Sequence, residues 1–505
     1  MTIATMLARA EAGRPAIGAP GARPLDFAGL GHLARDTVAA LNGVGIGRND
    51  RVAIVLPNGP AMAAAFLAIG SGATTAPLNP AYRAEEFEFY LNDLDARALV
   101  VEAGGDTTAR AVATRLGIPV IELAPLAGDG PAGAFRLATG SRSPATPAAA
   151  GPAAPGDVAL VLHTSGTTSR PKIVPLTHEN LAASATNIGR TLALGPTDTC
   201  LNIMPLFHIH GLVAAVTASV AAGGSVVCTA GFNALKFFAW LDEVRPTWYT
   251  AVPTMHQAIL ARADRNRDIV ATAALRFIRS SSSSLPPQVM QALEEVFACP
   301  VVESYGMTEA CHQMTSNPLP PSKRYPGSVG IAAGPQVAIM DEEGRILAPG
   351  ALGEIVIRGR NVTPGYDKNP DANAKAFTAG WFRTGDQGTL DAEGYLRITG
   401  RLKELINRGG EKISPLEVDE VLMDHPAVQQ VVTFAMPHDK LGEEVAAVVV
   451  LREGMTASER EIRDFALKRL ADFKVPRKVV FLAEIPKGAT GKLQRIGLAE
   501  KLGLV

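Results

Sequence analysis

Hydroxyls, a glycine and two cations crowd the stretch Thr164-Ser165-Gly166-Thr167-Thr168-Ser169-Arg170-Pro171-Lys172, directly after the apolar run Val158 to Leu162. A polyphosphate offers only acceptor oxygens and several negative charges. Backbone N–H groups, hydroxyl donors and a lysine gathered on one turn match it. Taken alone, the same turn is equally a Ser/Thr-rich surface loop. Further along, Glu303-Ser304-Tyr305-Gly306-Met307-Thr308-Glu309 adds hydroxyls and carboxylates, Trp381-Phe382-Arg383-Thr384-Gly385-Asp386 ends on a carboxylate, and Gly400-Arg401-Leu402-Lys403-Glu404 brings cations.

These residues need a large scaffold. The chain has 505 residues, 47% of them hydrophobic, with 48 Lys and Arg against 49 Asp and Glu. That length and balance predict at least two domains and small-molecule partners rather than nucleic acid or an anionic membrane surface. Cys200, Cys228, Cys299 and Cys311 have no paired metal-ligand spacing, so unpaired buried thiols in a reducing compartment are expected. The start, MTIATMLARAEAGRP, lacks a basic region followed by an apolar core, and Leu502-Gly503-Leu504-Val505 is not a peroxisomal address, which points to the cytoplasm. The apolar stretch Ile209 to Val227 is interrupted by Gly, Ser, Thr and Ala; it reads as a buried helix entering a buried strand, not a membrane span.

Helical patterns alternate with the apolar strands Arg51 to Leu56, Ala98 to Val101, Ala159 to Leu162 and Trp248 to Val252, which predicts α/β layers with largely parallel sheets. The Ala/Pro/Ser-rich segment Gly140 to Gly156 reads as a solvent loop leading to the first motif. From Val337 onward, strand-like pieces with tight turns predict a β subdomain. Gly43-Val44-Gly45-Ile46-Gly47 follows a helical pattern and precedes a strand, the reverse of a dinucleotide fingerprint, and is read as a helix C-cap and turn.

Together the motifs resemble the adenylate-forming acyl-CoA synthetases, over almost the whole chain. The Ser/Thr/Gly loop, the Glu303–Glu309, Trp381–Asp386 and Gly400–Glu404 segments, Gly409-Gly410-Glu411-Lys412-Ile413-Ser414-Pro415 and Pro486 to Lys492 occur in the family's order. The resemblance implies an α/β fold in which a large N-terminal domain, 1–400, combines layered α/β sheets with a β subdomain, followed by a small mobile α+β C-terminal domain, 401–505. It implies ATP, Mg²⁺ and coenzyme A as cofactor and cosubstrates. Activating a carboxylate with ATP requires attack on the α-phosphorus, a metal to neutralise pyrophosphate and cations near the pentacoordinate centre.

By the same resemblance, Thr164, Ser165, Gly166, Thr167, Thr168 and Lys172 grip the phosphates, with Glu303, Ser304 and Tyr305 on the nucleotide and Tyr305 against the adenine. Thr308 and Glu309 lie at the phosphates, Glu309 holding Mg²⁺. Asp386 accepts from the ribose hydroxyls beside Arg401. Lys492 reaches the α-phosphate and the acid's carboxylate. Lys403 is the pivot about which the small domain turns between half-reactions. Gly409 and Gly410 admit the pantetheine arm, and Ser414-Pro415-Leu416-Glu417 is a capping box that starts a helix running toward Asp424.

Ser169 and Ile173 stand where the family commonly has glycine. With Pro205-Leu206-Phe207-His208-Ile209-His210-Gly211 and Arg276-Phe277-Ile278-Arg279-Ser280, they resemble the branch that contains the oxalyl-CoA synthetases of plants and fungi. The acid-pocket segment is Ser280-Ser281-Ser282-Ser283-Ser284-Leu285, a hydroxyl wall suited to a small dianion that loses hydration on binding. Ser281, Ser282, His208 and His312 are the expected substrate contacts, His208 also as a catalytic residue, and both histidines are able to become cationic beside a dianion. Arg279 is either a further counter-ion or a structural partner. His208, His210, His256 and His312 give no metal-ligand spacing, with His208 and His210 pointing oppositely if extended. The reading is therefore an ATP-dependent ligase joining a small carboxylic acid, foremost oxalate, to CoA. Malonate, a 4-coumarate-type aromatic acid or a fatty acid are alternative acids, and a carrier protein is an alternative acceptor. An oligomer is compatible with the sequence, which leaves the number of subunits open.

Overall fold

The computed structural model describes residues 1–126, 130–140, 144–164, 171–487 and 493–504. Ser165, Gly166, Thr167, Thr168 and Lys492 therefore lie outside the described residues. Two large sheets form the first part of the chain. One has seven strands in the spatial order Phe135–Ala138, Val120–Pro125, Ala98–Glu102, Arg51–Val55, Thr74–Pro77, Val158–His163 and Ile173–Thr177. Its interior pairs are parallel and its two outermost pairs antiparallel. The other has nine strands, with a parallel centre made of Ser225–Cys228, Thr199–Asn202, Trp248–Ala251, Phe277–Ser281 and Val301–Met307. These strands read as near-continuous apolar runs because both faces of a parallel sheet are covered.

The covering is visible in the helix Pro60–Gly70, which starts on a proline at its first turn and buries every residue from Met62 to Gly70. A helix apolar on all sides belongs between layers, and its residues share one core with strands of both sheets. The segment expected as a buried helix entering a strand is one, with an addition. His210–Thr217 is a π-helix, Ala218–Ala221 continues as α-helix, and Ser225–Cys228 is the strand. Gly211 is required there, since a Cβ at that position would lie 2.4 Å from the Pro205 carbonyl oxygen. The π-helix thus sits directly against the turn that carries His208.

The expected β subdomain is an antiparallel sheet in which Gln336–Met340 pairs with Leu352–Arg358, which pairs with Trp381–Leu390; Phe377–Thr378 and Leu396–Arg401 flank that last strand. Arg401 is the final residue of its strand, opposite Asp386. A separate sheet begins at Ile406–Arg408 and is built on the long antiparallel pair Val428–His438 and Gly442–Leu451. The helices Pro415–Met423 and Glu459–Leu467 pack on one face of it, and Ile485, Leu498 and Ala499 on the other. The glycine-rich segment Gly43 to Gly47 is a helix terminus: Phe27–Gly43 ends there and Gly45 has φ +80°. The described part of the loop before the first motif is mostly exposed. Among the described residues, no helix is long and apolar enough to cross a membrane.

Because Phe66 is fully buried between the two large sheets, Phe66→Ala should cost about 3–5 kcal/mol of stability, read as a fall in the urea denaturation midpoint.

Candidate active site

Strand Val158–His163 and strand Ile173–Thr177 form an antiparallel pair that brackets the first motif. Its neck is closed by Thr164 N–H donating to the Lys172 carbonyl (2.9 Å) and Lys172 N–H donating to Thr164 Oγ1 (3.1 Å). Thr164 and Lys172 both line a cleft of about 510 Å³. The Lys172 Nζ lies 4.3 Å from the ring centroid of Tyr366, and the Tyr366 hydroxyl donates to Glu309 Oε1 at 2.8 Å. Tyr366 was not foreseen; only its place after Pro364 and Gly365, an aromatic residue on a turn, could have drawn attention to it.

The second motif is a tight reversal. Strand Val301–Met307 runs into a single turn, Thr308–Ala310, and returns as His312–Ser316, with a register shift between Tyr305 and Gly306. A Cβ on Gly306 would lie 2.0 Å from the His312 carbonyl oxygen, so only glycine permits this closeness. Cys311 and His312 take positive φ, 50° and 91°. Ser304, Tyr305, Thr308, Glu309 and His312 all reach the cleft. Burial pushes the Glu309 carboxyl up, and the Tyr366 hydroxyl and the cations Arg401 and Lys172 oppose that shift.

Asp386 joins the strands around it. Its Oδ2 accepts from the Tyr305 hydroxyl at 2.5 Å and its Oδ1 from Arg401 Nε at 2.9 Å. The negative charge of Asp386 holds the Arg401 guanidinium above its ordinary value, while burial and then the same carboxylate raise the Tyr305 phenol.

The cleft continues beyond Ser304. Ser282 leaves strand Phe277–Ser281 with φ +75°, which turns Ser282, Ser283 and Ser284 to the cleft beside His208 and His312. Ser282 Oγ is 3.0 Å from His210 Nδ1, and His210 Nε2 is 2.6 Å from Thr250 Oγ1, so His210 is a hydrogen-bonded core histidine. His256 is another: it meets the Tyr249 hydroxyl at 3.3 Å, and burial pushes it down to about 3. His208 and His210 do not lie on an extended segment, because a turn feeds the π-helix there. His312 Nδ1 faces Arg279 Nη2 at 3.5 Å.

Some expected contacts are displaced. Ser281 does not line the cleft; strand pairing sets it beside Ser304, and its hydroxyl donates to the Ser304 carbonyl at 2.8 Å. Glu303 alternates away from Ser304 and accepts from Leu285 N–H at 2.8 Å, bracing the serine turn from behind. Gly409 and Gly410, with φ 59° and 100°, are the turn of the hairpin Ile406–Arg408 and Glu411–Ile413 and lie away from the cleft. The helix Pro415–Met423 starts as expected, with Ser414 Oγ accepting from Glu417 N–H. The reciprocal half of that capping box is absent, because the Glu417 carboxylate pairs with Lys474 Nζ at 2.6 and 2.8 Å.

The opposite wall comes from the last hundred residues. Lys403, Asp419, Glu420, Gln430 and Leu493 face the same cleft. Leu493, which follows Lys492, bridges to Lys487 across the intervening segment. Arg495 pairs with Asp419 at 2.6 Å and Glu404 at 3.5 Å and donates to the Thr433 carbonyl at 2.9 Å. Across the wall, Gln430 Nε2 donates to Gln257 Oε1 at 3.1 Å. Arg495 and Gln257 were also missed, since each lies just past the end of a motif, Arg495 three residues after Lys492 and Gln257 directly after His256.

Residues 6–367 match the AMP-binding enzyme family and residues 417–492 the AMP-binding enzyme C-terminal domain. The chain is similar to the oxalate–CoA ligase of Arabidopsis thaliana, at 46% identity over 95% of this chain and 94% of that protein. It is similar at 43% identity to the oxalate–CoA ligase of Saccharomyces cerevisiae, over 90% and 87% of the two chains. Among solved structures it resembles ATP-bound MatB from Rhodopseudomonas palustris, with a TM-score of 0.88, 29% identity and 99% of both chains covered.

Burial, reinforced by the negative charge of Glu420, pushes the Glu303 carboxyl up to about 8. The folded chain then binds a proton there that the unfolded chain has released, so this contribution to stability is present below the ordinary carboxylate range and is lost as pH rises through about 8. Glu303→Gln keeps an acceptor for Leu285 without the charge. Its denaturation midpoint should gain on the wild type as pH rises from about 5 to about 8 and level off above that; parallel pH profiles would contradict the assignment.

Proposed function

Because the chain belongs to the AMP-binding enzyme family, we propose that it is an AMP-forming acid–CoA ligase whose acid is oxalate. The observation that carries the reading is one cleft in which Thr308, Glu309, Asp386 and Arg401 stand beside His208, Ser282 and His312. A nucleotide-phosphate end and an acid end with several hydrogen-bond donors are thereby contiguous. The names and extents of the two oxalate–CoA ligase relatives support the choice of acid.

In the first half-reaction a carboxylate oxygen of the acid attacks the α-phosphorus of ATP, and pyrophosphate leaves with the electron pair of the broken P–O bond. Lys492 and Arg401 face the charge that develops on the α-phosphate, and Asp386 accepts from the ribose while Tyr305 packs against the adenine. In the second, the CoA thiolate attacks the acyl carbon and AMP departs. The free carboxylate of oxalate stays ionised throughout; hydroxyls of Ser282 to Ser284 and the imidazoles of His208 and His312 replace its lost water.

Magnesium fits this site. Glu309 offers a buried carboxylate at the phosphate end, and Mg²⁺ is commonly held by one or two carboxylates with phosphate oxygens completing the shell. No group of three or more His, Cys, Asp or Glu residues able to hold a metal occurs among the described residues, which leaves most of the shell to the nucleotide. When bound, the ion neutralises charge on the leaving pyrophosphate.

We further assign 1–400 and 401–505 as the working domains, Lys403 as the pivot, and the Gly409–Gly410 turn as part of the CoA-facing surface. The cytoplasm is the compartment that suits four unpaired, buried cysteines.

CoA-dependent pyrophosphate release, measured with ATP and Mg²⁺ across oxalate, malonate, acetate, a medium-chain fatty acid and 4-coumarate, should favour oxalate. Preference for another acid would retain the ligase and discard the acid assignment. Lys492→Ala should lower adenylate formation about 100-fold or more while sparing thioester formation from preformed acyl-adenylate, and Gly409→Leu should do the reverse. Equal loss of both half-reactions in each variant would exclude the division of labour between the two segments.

A further inference from the structure

Arg279 is a fully buried cation whose charge is not balanced by a partner. It sits mid-strand in Phe277–Ser281, between Thr250 and Val302 in register, with 0% of its surface exposed. Among the described residues no carboxylate pairs with it. Nη2 donates to Gln313 Oε1 at 3.2 Å and to His312 Nδ1 at 3.5 Å, while Nε and Nη1 have no hydrogen-bond partner. Gln313 is itself held, its amide donating to the Ala333 carbonyl at 3.0 Å and to Thr191 Oγ1 at 3.2 Å, so its oxygen is fixed toward Arg279.

Burying an unpaired guanidinium is expensive, and an apolar residue of like volume would stabilise the sheet better. The cost is explained if the charge serves the acid pocket. A guanidinium carries only donors. Its contact with His312 therefore requires an Nδ1 lone pair, which puts the imidazole proton on Nε2 and opposes a second proton on Nδ1. The expectation that His312 becomes cationic is replaced by a division of roles: the imidazole directs a neutral N–H, and the positive charge stays behind it on Arg279.

We propose that Arg279 is a positioning and specificity-determining residue that fixes His312 as the Nε2–H tautomer and supplies, from inside the sheet, the positive charge that favours a dicarboxylate over a monocarboxylate. The specificity half rests on the oxalate reading; the tautomer half does not.

The test combines spectroscopy without any acid present and kinetics with two acids. In protein labelled with ¹⁵N-histidine, with His312 assigned through His312→Gln, long-range ¹H–¹⁵N correlations should show Nδ1 unprotonated and Nε2 protonated. A protonated Nδ1 in the wild type would overturn the positioning role. Arg279→Met should lose this single tautomer and lower kcat/KM for oxalate about 30-fold or more, mainly through KM, with far smaller changes for acetate and in the KM for ATP. Arg279→Lys, which keeps charge in a smaller change of shape, should recover part of the oxalate preference and serves alone if the methionine variant does not fold. Equal losses for oxalate and acetate in the folded variant would reduce Arg279 to a structural residue. A wild type with no preference for oxalate over acetate would instead overturn the oxalate reading and the specificity half, while the spectrum still decides the tautomer.

Discussion

The reversal between strands Val301–Met307 and His312–Ser316 is the constraint on which the site depends. It brings a backbone so close to itself that Gly306 has no room for a Cβ against the His312 carbonyl. In a few residues it delivers Tyr305 to Asp386, Glu309 to Tyr366 and His312 to the cleft beside the serine turn. The spacing of these side chains is thus set by covalent geometry and a bulged register rather than by loops free to adjust. The positive φ of Cys311 and His312 belongs to the same turn, a local strain held by the strands on either side.

Around that turn, the polar groups are arranged in pairs that keep one another oriented. Tyr305 and Arg401 share Asp386, Tyr366 holds Glu309, and Lys172 lies over the Tyr366 ring. Behind the serine turn a second layer repeats the pattern, with His210 on Ser282, Arg279 on His312 and Glu303 on the backbone of Leu285. In a buried setting each of these contacts is stronger than in water, and each unpartnered group is correspondingly costly. The arrangement directs the groups facing the cleft through others that never reach it.

The C-terminal wall follows a different logic. Its contact with the rest of the cleft relies on glutamine side chains, such as Gln430 on Gln257, whereas within that wall Arg495 is tied to Asp419, Glu404 and the Thr433 carbonyl. Charge pairs thus tie Arg495, two residues after Leu493, to neighbours in its own wall, while Gln430 on Gln257 and Gln288 on the Asp424 carboxylate join that wall to the larger part of the chain.

Residue types that share one cleft were legible in the sequence, among them Glu309, Asp386, Arg401 and Ser282 to Ser284, together with the alternation that forecasts parallel sheets. The capped start of Pro415–Met423 was legible too, because Ser414 and Pro415 act on their own neighbours. What escaped was decided at a distance. Glu417 completes no capping box because Lys474, far along the chain, takes its carboxylate. Ser281 rather than Ser282 is lost to the cleft because strand pairing consumes its hydroxyl and because the backbone changes hand one residue later. Tyr366 has only its place after Pro364 and Gly365 to mark it, and Arg495 only its nearness to Lys492. The sequence by itself determined which chemical groups are present and their local backbone preferences, since those follow from composition and short-range sterics. Only the tertiary structure decided which side of a strand each group serves and which partner it spends its hydrogen bonds on, because register and long-range packing, not spacing along the chain, assign those partners.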